Sequence, residues 1–107
     1  MNTLIDFLGD NFSIAYIEEN DAVMDETFMI TPITTESFKG NGQPQSIVDY
    51  YAVEIFFKDK SLAVSSGKII WKELLKNKYF CDDPQYTFEK EAEFWRVTLR
   101  VRQIVEV

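Results

Sequence analysis

The sequence predicts an α+β domain: a mixed or antiparallel sheet of about four to five strands packed against one main helix (61–79), with a short N-terminal helix (3–9). Three observations lead there. Residues 47–58 (IVDYYAVEIFFK) and 94–107 (FWRVTLRVRQIVEV) alternate apolar and polar side chains with the period of two that a half-buried strand requires. Residues 61–79 repeat apolar positions at i, i+3, i+4 and i+7, the stripe of a helix lying on a core. A length of 107 residues, 46% of them hydrophobic and 15% aromatic, suits a single domain, 1–107, with one core.

The first element is the short helix. Thr3 and Asp6 form a capping-box-like pair, and Leu4, Ile5, Phe7 and Leu8 share one apolar face. Gly9 can take the left-handed conformation that ends a helix. So short a helix is unstable in isolation and must dock. Residues 13–17 form a first short strand, and Glu18-Glu19-Asn20-Asp21 a turn. Residues 27–33 form a second strand, which Pro32 either ends or confines to a sheet edge.

Residues 34–46 (TTESFKGNGQPQS) are expected as a long flexible loop, since Gly40, Asn41, Gly42 and Pro44 sit together among polar side chains. A loop of that length is usually functional or disordered. In the strand 47–58, Tyr51, Val53, Ile55 and Phe57 share one face. Ser61 is expected to cap the main helix, whose stripe is Ala63, Gly67, Ile70, Trp71, Leu74, Leu75 and Lys78. Gly67 costs about 1 kcal/mol against alanine there, a cost that a close approach to the sheet would offset. Cys81-Asp82-Asp83-Pro84 reads as a turn, and 85–90 and 94–107 as two strands joined by Glu91-Ala92-Glu93. On the last strand Trp95, Val97, Leu99 and Val101 face the core, with Arg96, Arg100 and Arg102 opposite.

The net charge of −7 is unevenly spread. Residues 1–38 hold Asp6, Asp10, Glu18, Glu19, Asp21, Asp25, Glu26 and Glu36 and no base, giving −8, and the remainder carries +1. Either this is a solvated acidic face, or one end of the molecule differs electrostatically from the other.

Composition excludes several chemistries. Without histidine there is no Ser-His-Asp or Cys-His system and no imidazole-bound metal. One cysteine makes no internal disulfide, which fits folding in a reducing cytoplasm. An acidic total opposes nonspecific nucleic-acid binding, and no specific nucleic-acid motif appears. No apolar run approaches the roughly 20 residues that span a bilayer, so no membrane partner is expected. MNTLIDFLGD has no basic region and two aspartates, unlike a secretory leader.

Candidate sites are few. Glu18, Glu19, Asp21, Asp25 and Glu26 cluster, but Ala22, Val23 and Met24 interrupt them and no glycine follows, so a solvated acidic turn fits better than a calcium loop. Nothing marks out two carboxylates for glycoside hydrolysis. Gly40-Asn41-Gly42 leads into a strand and not into the helix of a phosphate loop. Asp82, Asp83 and a helix C-terminus oppose thiolate formation at Cys81. No metal, cofactor or catalytic residue is expected. The arginine row has two readings: a solvated face with cross-strand ion pairs to Glu54 or Glu89, or a contact surface for an acidic partner such as residues 1–38 of a neighbouring copy.

A short helix, two short strands, a polar loop, YYAVEIFFKDK, the amphipathic IIWKELLKN and a closing FWRVTLRVRQIVEV occur here in that order. This order resembles the small tail-terminator or tail-completion (head–tail joining) proteins of long-tailed bacteriophages. The likeness covers nearly the whole chain and rests on length, element order and texture, not on a diagnostic motif. It implies a structural virion protein, not an enzyme, that is assembled in the host cytoplasm. Such a protein forms a homo-oligomeric ring, often hexameric, on the tail tube and meets the head connector. The resemblance places interfaces at the loop 34–46 and the sheet edges. The interface candidates are Phe38, Lys39, Tyr50 and Tyr51 around that loop, Arg96, Arg100 and Arg102 on the last strand, and Glu18, Glu19, Asp25 and Glu26 in the acidic segment. The alternative is a small intracellular α+β module, unrelated to phage, that binds a protein through the same sheet face.

Overall fold

Alternating side chains and one helical stripe build a sheet with helices on one face. The computed structural model describes residues 3–18, 21–40 and 43–106. The elements are α1 (Thr3–Asn11), β1 (Ala15–Tyr16), β2 (Thr27–Gly40), β3 (Gln43–Phe57), α2 (Lys60–Lys76), β4 (Phe80–Cys81), β5 (Gln85–Glu89) and β6 (Phe94–Glu106). The six-stranded sheet has the order β1-β2-β3-β6-β4, and β5 also pairs β6. All pairings are antiparallel except β1 with β2, so the fold is α+β with a mixed sheet and a main helix packed on it. Among the described residues no helix is long and apolar enough to cross a membrane.

One cluster forms the core. Val53, Ile55 and Phe57 of β3 and Val97, Leu99 and Val101 of β6 are buried on the face that the alternation assigns, together with Phe28. Leu4 and Leu8 of α1 and Ala63, Ile70 and Leu74 of α2 cover them. The stripe on α2 narrows at its end, where Leu75 is 45% exposed.

Gly67 is where the helix meets the sheet most closely. A Cβ there would lie 3.0 Å from both Tyr86 Cε1 and Val97 Cγ1. Val97 is fully buried, and the Tyr86 hydroxyl donates to the Val64 carbonyl at 3.4 Å, so neither neighbour moves freely. Gly67→Ala gains about 1 kcal/mol of helix propensity and loses about 1–3 to overpacking. We therefore expect a net destabilisation of about 1 kcal/mol in urea unfolding.

Several boundaries differ from the sequence expectation. The long loop at 34–46 does not exist as such. β2 continues to Gly40, β3 begins at Gln43, and Gly40 pairs with Gln43 across Asn41 and Gly42, which lie outside the described residues. Residues 31–37 are all exposed, so this half of β2 carries no core pattern, and its ladder depends on backbone hydrogen bonds and on polar side-chain bonds across to β3. Asn-Gly between two runs is itself a hairpin signal, and here it outweighs the polar composition. Pro32 does not end β2. β1 pairs it only at Thr27 and Phe28, so Pro32 lies on an edge among the described strands, followed by a bulge at Ile33.

Helix α2 is capped by Asp59, whose carboxylate accepts the Leu62 N–H at 3.3 Å, and not by Ser61. It stops at Lys76, with Lys78 at φ 69°, the position glycine usually fills. Helix α1 runs past Gly9 to Asn11, where the Asn11 amide donates to the Phe7 carbonyl at 2.7 Å. The first short strand shrinks to Ala15–Tyr16, and part of the turn expected at 81–84 is the strand β4.

Beyond the helices β2, β3 and β6 continue as a three-stranded arm. The radius of gyration is 15.0 Å, with extents of 51 × 28 × 22 Å. A compact chain of this length would give about 13 Å, so the arm makes the molecule elongated.

Candidate assembly interface

The sheet face turned away from the helices gathers several of the predicted residues. Register aligns Thr34, Tyr50 and Arg102 across β2, β3 and β6, and Thr31, Ala52 and Arg100 in the next row. A shallow cavity of about 240 Å³ lies here, lined by Ile33, Thr34, Tyr50, Tyr51, Asp82, Arg100, Val101 and Arg102. Tyr50, Arg100 and Arg102 thus share this face, while Tyr51, which also lines the cavity, packs against the core from the helix side in register with Val101.

The arm around this trough is internally braced. The Tyr50 hydroxyl donates to Glu36 Oε2 at 3.0 Å, and that bond, with desolvation, raises its pKa above the ordinary value. Thr35 Oγ1 donates to Asp49 Oδ1 at 2.7 Å, and Tyr51 to Asp49 Oδ2 at 3.4 Å. Burial and then Asp49 raise the Tyr51 pKa. Both tyrosines therefore remain neutral donors at ordinary pH.

The three arginines are not equivalent. Arg96 pairs with Glu54 at 3.3 Å and Glu89 at 2.8 Å, the two partners expected from cross-strand position. It stands opposite Phe56, which is buried on this face, as is Val48. Arg96 thus takes the cross-strand ion pairs of the first reading and braces the sheet. We expect Arg96→Ala to cost about 1–2 kcal/mol in urea unfolding, because two carboxylates lose their partner and Phe56 its neighbour. Arg102 lies 3.8 Å from Asp82 Oδ1 and 6.0 Å from the Phe80 ring, with both charged side chains largely exposed. Arg100 is exposed, and no ion pair engages it among the described residues. Outside the Glu54–Arg96–Glu89 network the row leaves Arg100 and Arg102.

The acidic candidates stand at the other edge of the sheet. Glu18 lines a hollow with Tyr16 and residues 29–32 of β2. Its N–H is accepted by Asp21 Oδ2 at 2.8 Å, so Glu18 and Asp21 are tied to each other. Asp25 Oδ1 accepts the Lys58 N–H at 2.9 Å, and Glu26 takes φ 55°, so both also shape the approach to β2. Glu19 lies outside the described residues, as do the side chains of Phe38 and Lys39. Glu36, absent from the predicted interface set, sits on the arm. Only strand register reveals its position, because the sequence reads there as a loop.

Cys81 lies beside the trough but offers no nucleophile. Burial first, then Asp82, pushes its thiol from 9.0 up to about 12. The folded chain keeps the proton where the unfolded chain loses it. This contribution to stability is therefore present below pH 9 and is lost as pH rises toward 12. We expect maleimide labelling of the folded protein at pH 8 to be at least about 10-fold slower than in urea.

Among the described residues no group of three or more Cys, Asp or Glu comes together as a metal site. The chain matches no protein-family model, and no curated protein matches it.

Proposed function

We propose that the chain is a structural protein that assembles head to tail into a ring, as do the phage tail terminators it resembles, capping a tail tube and joining it to the head connector. One observation carries the assembly: acids and exposed arginines stand at opposite edges of one sheet at similar heights. Glu18 flanks β2 at residues 29–32, and Thr31 is in register, through Ala52, with Arg100. Glu36 is two pairs beyond Thr34, which is in register, through Tyr50, with Arg102. A copy rotated about an axis along the strands would bring the acidic edge of one molecule to the arginine edge of the next. Different patches meet in such a contact, so it repeats until the rotation closes a ring. On this reading the protein belongs to the virion and is assembled in the host cytoplasm.

The test is mass by light scattering across protein and salt concentration. We expect a closed oligomer of defined size, favoured at low salt because the contacting charges are exposed. A monomer at every concentration and salt overturns the reading and favours a binding module for another protein.

A further inference from the structure

We infer that neighbouring copies join by adding the free edge of β2 to the free edge of β6, with an apolar groove beside β6 seating the incoming strand. The inference rests on the ring reading and specifies its contact.

Two strand edges remain open among the described pairings. β2 is flanked by β1 only at Thr27 and Phe28. On its outer edge, β6 is flanked by β5 from Phe94 to Thr98 and by β4 at Val101 and Arg102, which leaves residues 104–106 paired with β3 alone. The open stretches lie at one height: Glu36 is in register with Val48, and Val48 with Ile104. Pro32 and the bulge at Ile33 interrupt the β2 edge below this height and leave the rest of the strand to pair. Each of the two strands is antiparallel to β3, so they run the same way. A neighbour rotated about an axis along the strands therefore adds β2 parallel to β6. Strand addition supplies affinity through main-chain hydrogen bonds and selectivity through the side chains flanking them.

The groove supplies the flanking contacts. Leu75, Lys78, Tyr79, Phe80 and Ile104 line a cavity of about 550 Å³ directly beside the open end of β6. Phe80 is 50% and Ile104 49% exposed, high values for large apolar side chains grouped at one place. Lys78 lines it, and Arg102 lines the adjoining cavity that shares Phe80 and Ile104. The complementary occupant is an edge strand with apolar and acidic side chains. The β2 edge of a second copy is such a strand, with Ile33 52% exposed and Glu36 three residues on. Both halves of the contact lie on one chain, which favours a second copy over an unrelated partner.

The test uses one variant for each edge: Ile104→Lys on β6, and Ile33→Lys with Glu36→Lys on β2. All three positions are exposed, so folding is expected to persist, and the urea midpoint checks it. Each variant alone should be monomeric, with self-association weakened at least 100-fold. Mixed in equal amounts, they should form a two-chain species and nothing larger, because one intact β6 edge meets one intact β2 edge. If either folded variant still assembles like the parent, or the mixture stays monomeric, the edge pairing is overturned while the ring stands. If the parent itself never assembles, both fall. In the parent assembly, amide exchange at residues 34–38 and 104–106 should slow at least 10-fold relative to Ile104→Lys. Protection confined to other segments overturns the pairing.

Discussion

Phe28→Ala is expected to lower the unfolding free energy by about 3–5 kcal/mol. Phe28 is 0% exposed and belongs to the single core cluster, with the Tyr16 ring 5.5 Å away. Like Thr27, it is paired with both β1 and β3, opposite Tyr16 and Ile55. Truncation leaves a cavity among residues held by sheet register, which cannot close around it. A domain of this size has about 5–15 kcal/mol in total, so the loss is a large share. Urea unfolding followed by the fluorescence of Trp71 and Trp95 should show a lower midpoint at unchanged slope. A change below 1 kcal/mol would mean that Phe28 is not enclosed as described.

Arg100→Glu combined with Arg102→Glu is expected to abolish assembly at concentrations where the parent is oligomeric, with self-association weakened about 100-fold, or roughly 2.7 kcal/mol. Each reversal removes an attraction and adds a repulsion where two subunits meet, at about 1–1.5 kcal/mol per site at a partly desolvated contact. The isolated subunit should change by less than about 1 kcal/mol, because Arg100 has no ion pair among the described residues and the Arg102–Asp82 pair is largely exposed. Arg96→Ala is the internal control: it weakens the fold and leaves assembly intact. Light scattering together with urea unfolding separates the two effects. Unchanged assembly in the double variant would remove the arginines from the contact.

Elements with a buried face were legible in the sequence. The alternation of β3 and β6 reports their core residues, since burial on one face writes a period of two into the side chains. The α2 stripe, the close approach at Gly67, the pairing of Arg96 with Glu54 and Glu89, and the unreactive Cys81 follow from sequence neighbours and spacing. The arm was not legible for the same reason. Residues 31–37 are exposed, so no apolar period marks them, and what stabilises the arm is backbone pairing with a few polar side-chain bonds across it. β4 has two residues, too few for any period. The choice of Asp59 over Ser61 as cap turns on local backbone angles that both residue types permit. The similar heights of Glu18, Glu36, Arg100 and Arg102 belong to register, which links residues far apart in sequence.

The place of β6 in the sheet also governs how the chain reaches its fold. The last described element is not at the margin: β3 lies on one side of it, β4 and β5 on the other. A nascent chain that has reached only Glu89 holds both helices and the β2–β3 hairpin but lacks Val97, Leu99 and Val101, all buried in the finished core. Two strands alone are marginal in water, so little of this intermediate should persist. Pairing β6 with β3 closes a contact across distant parts of the sequence, a kind of step that is expected to slow folding. Until it happens, the inner edge of β3 is bare, and the growing chain is most prone to aggregate in that interval.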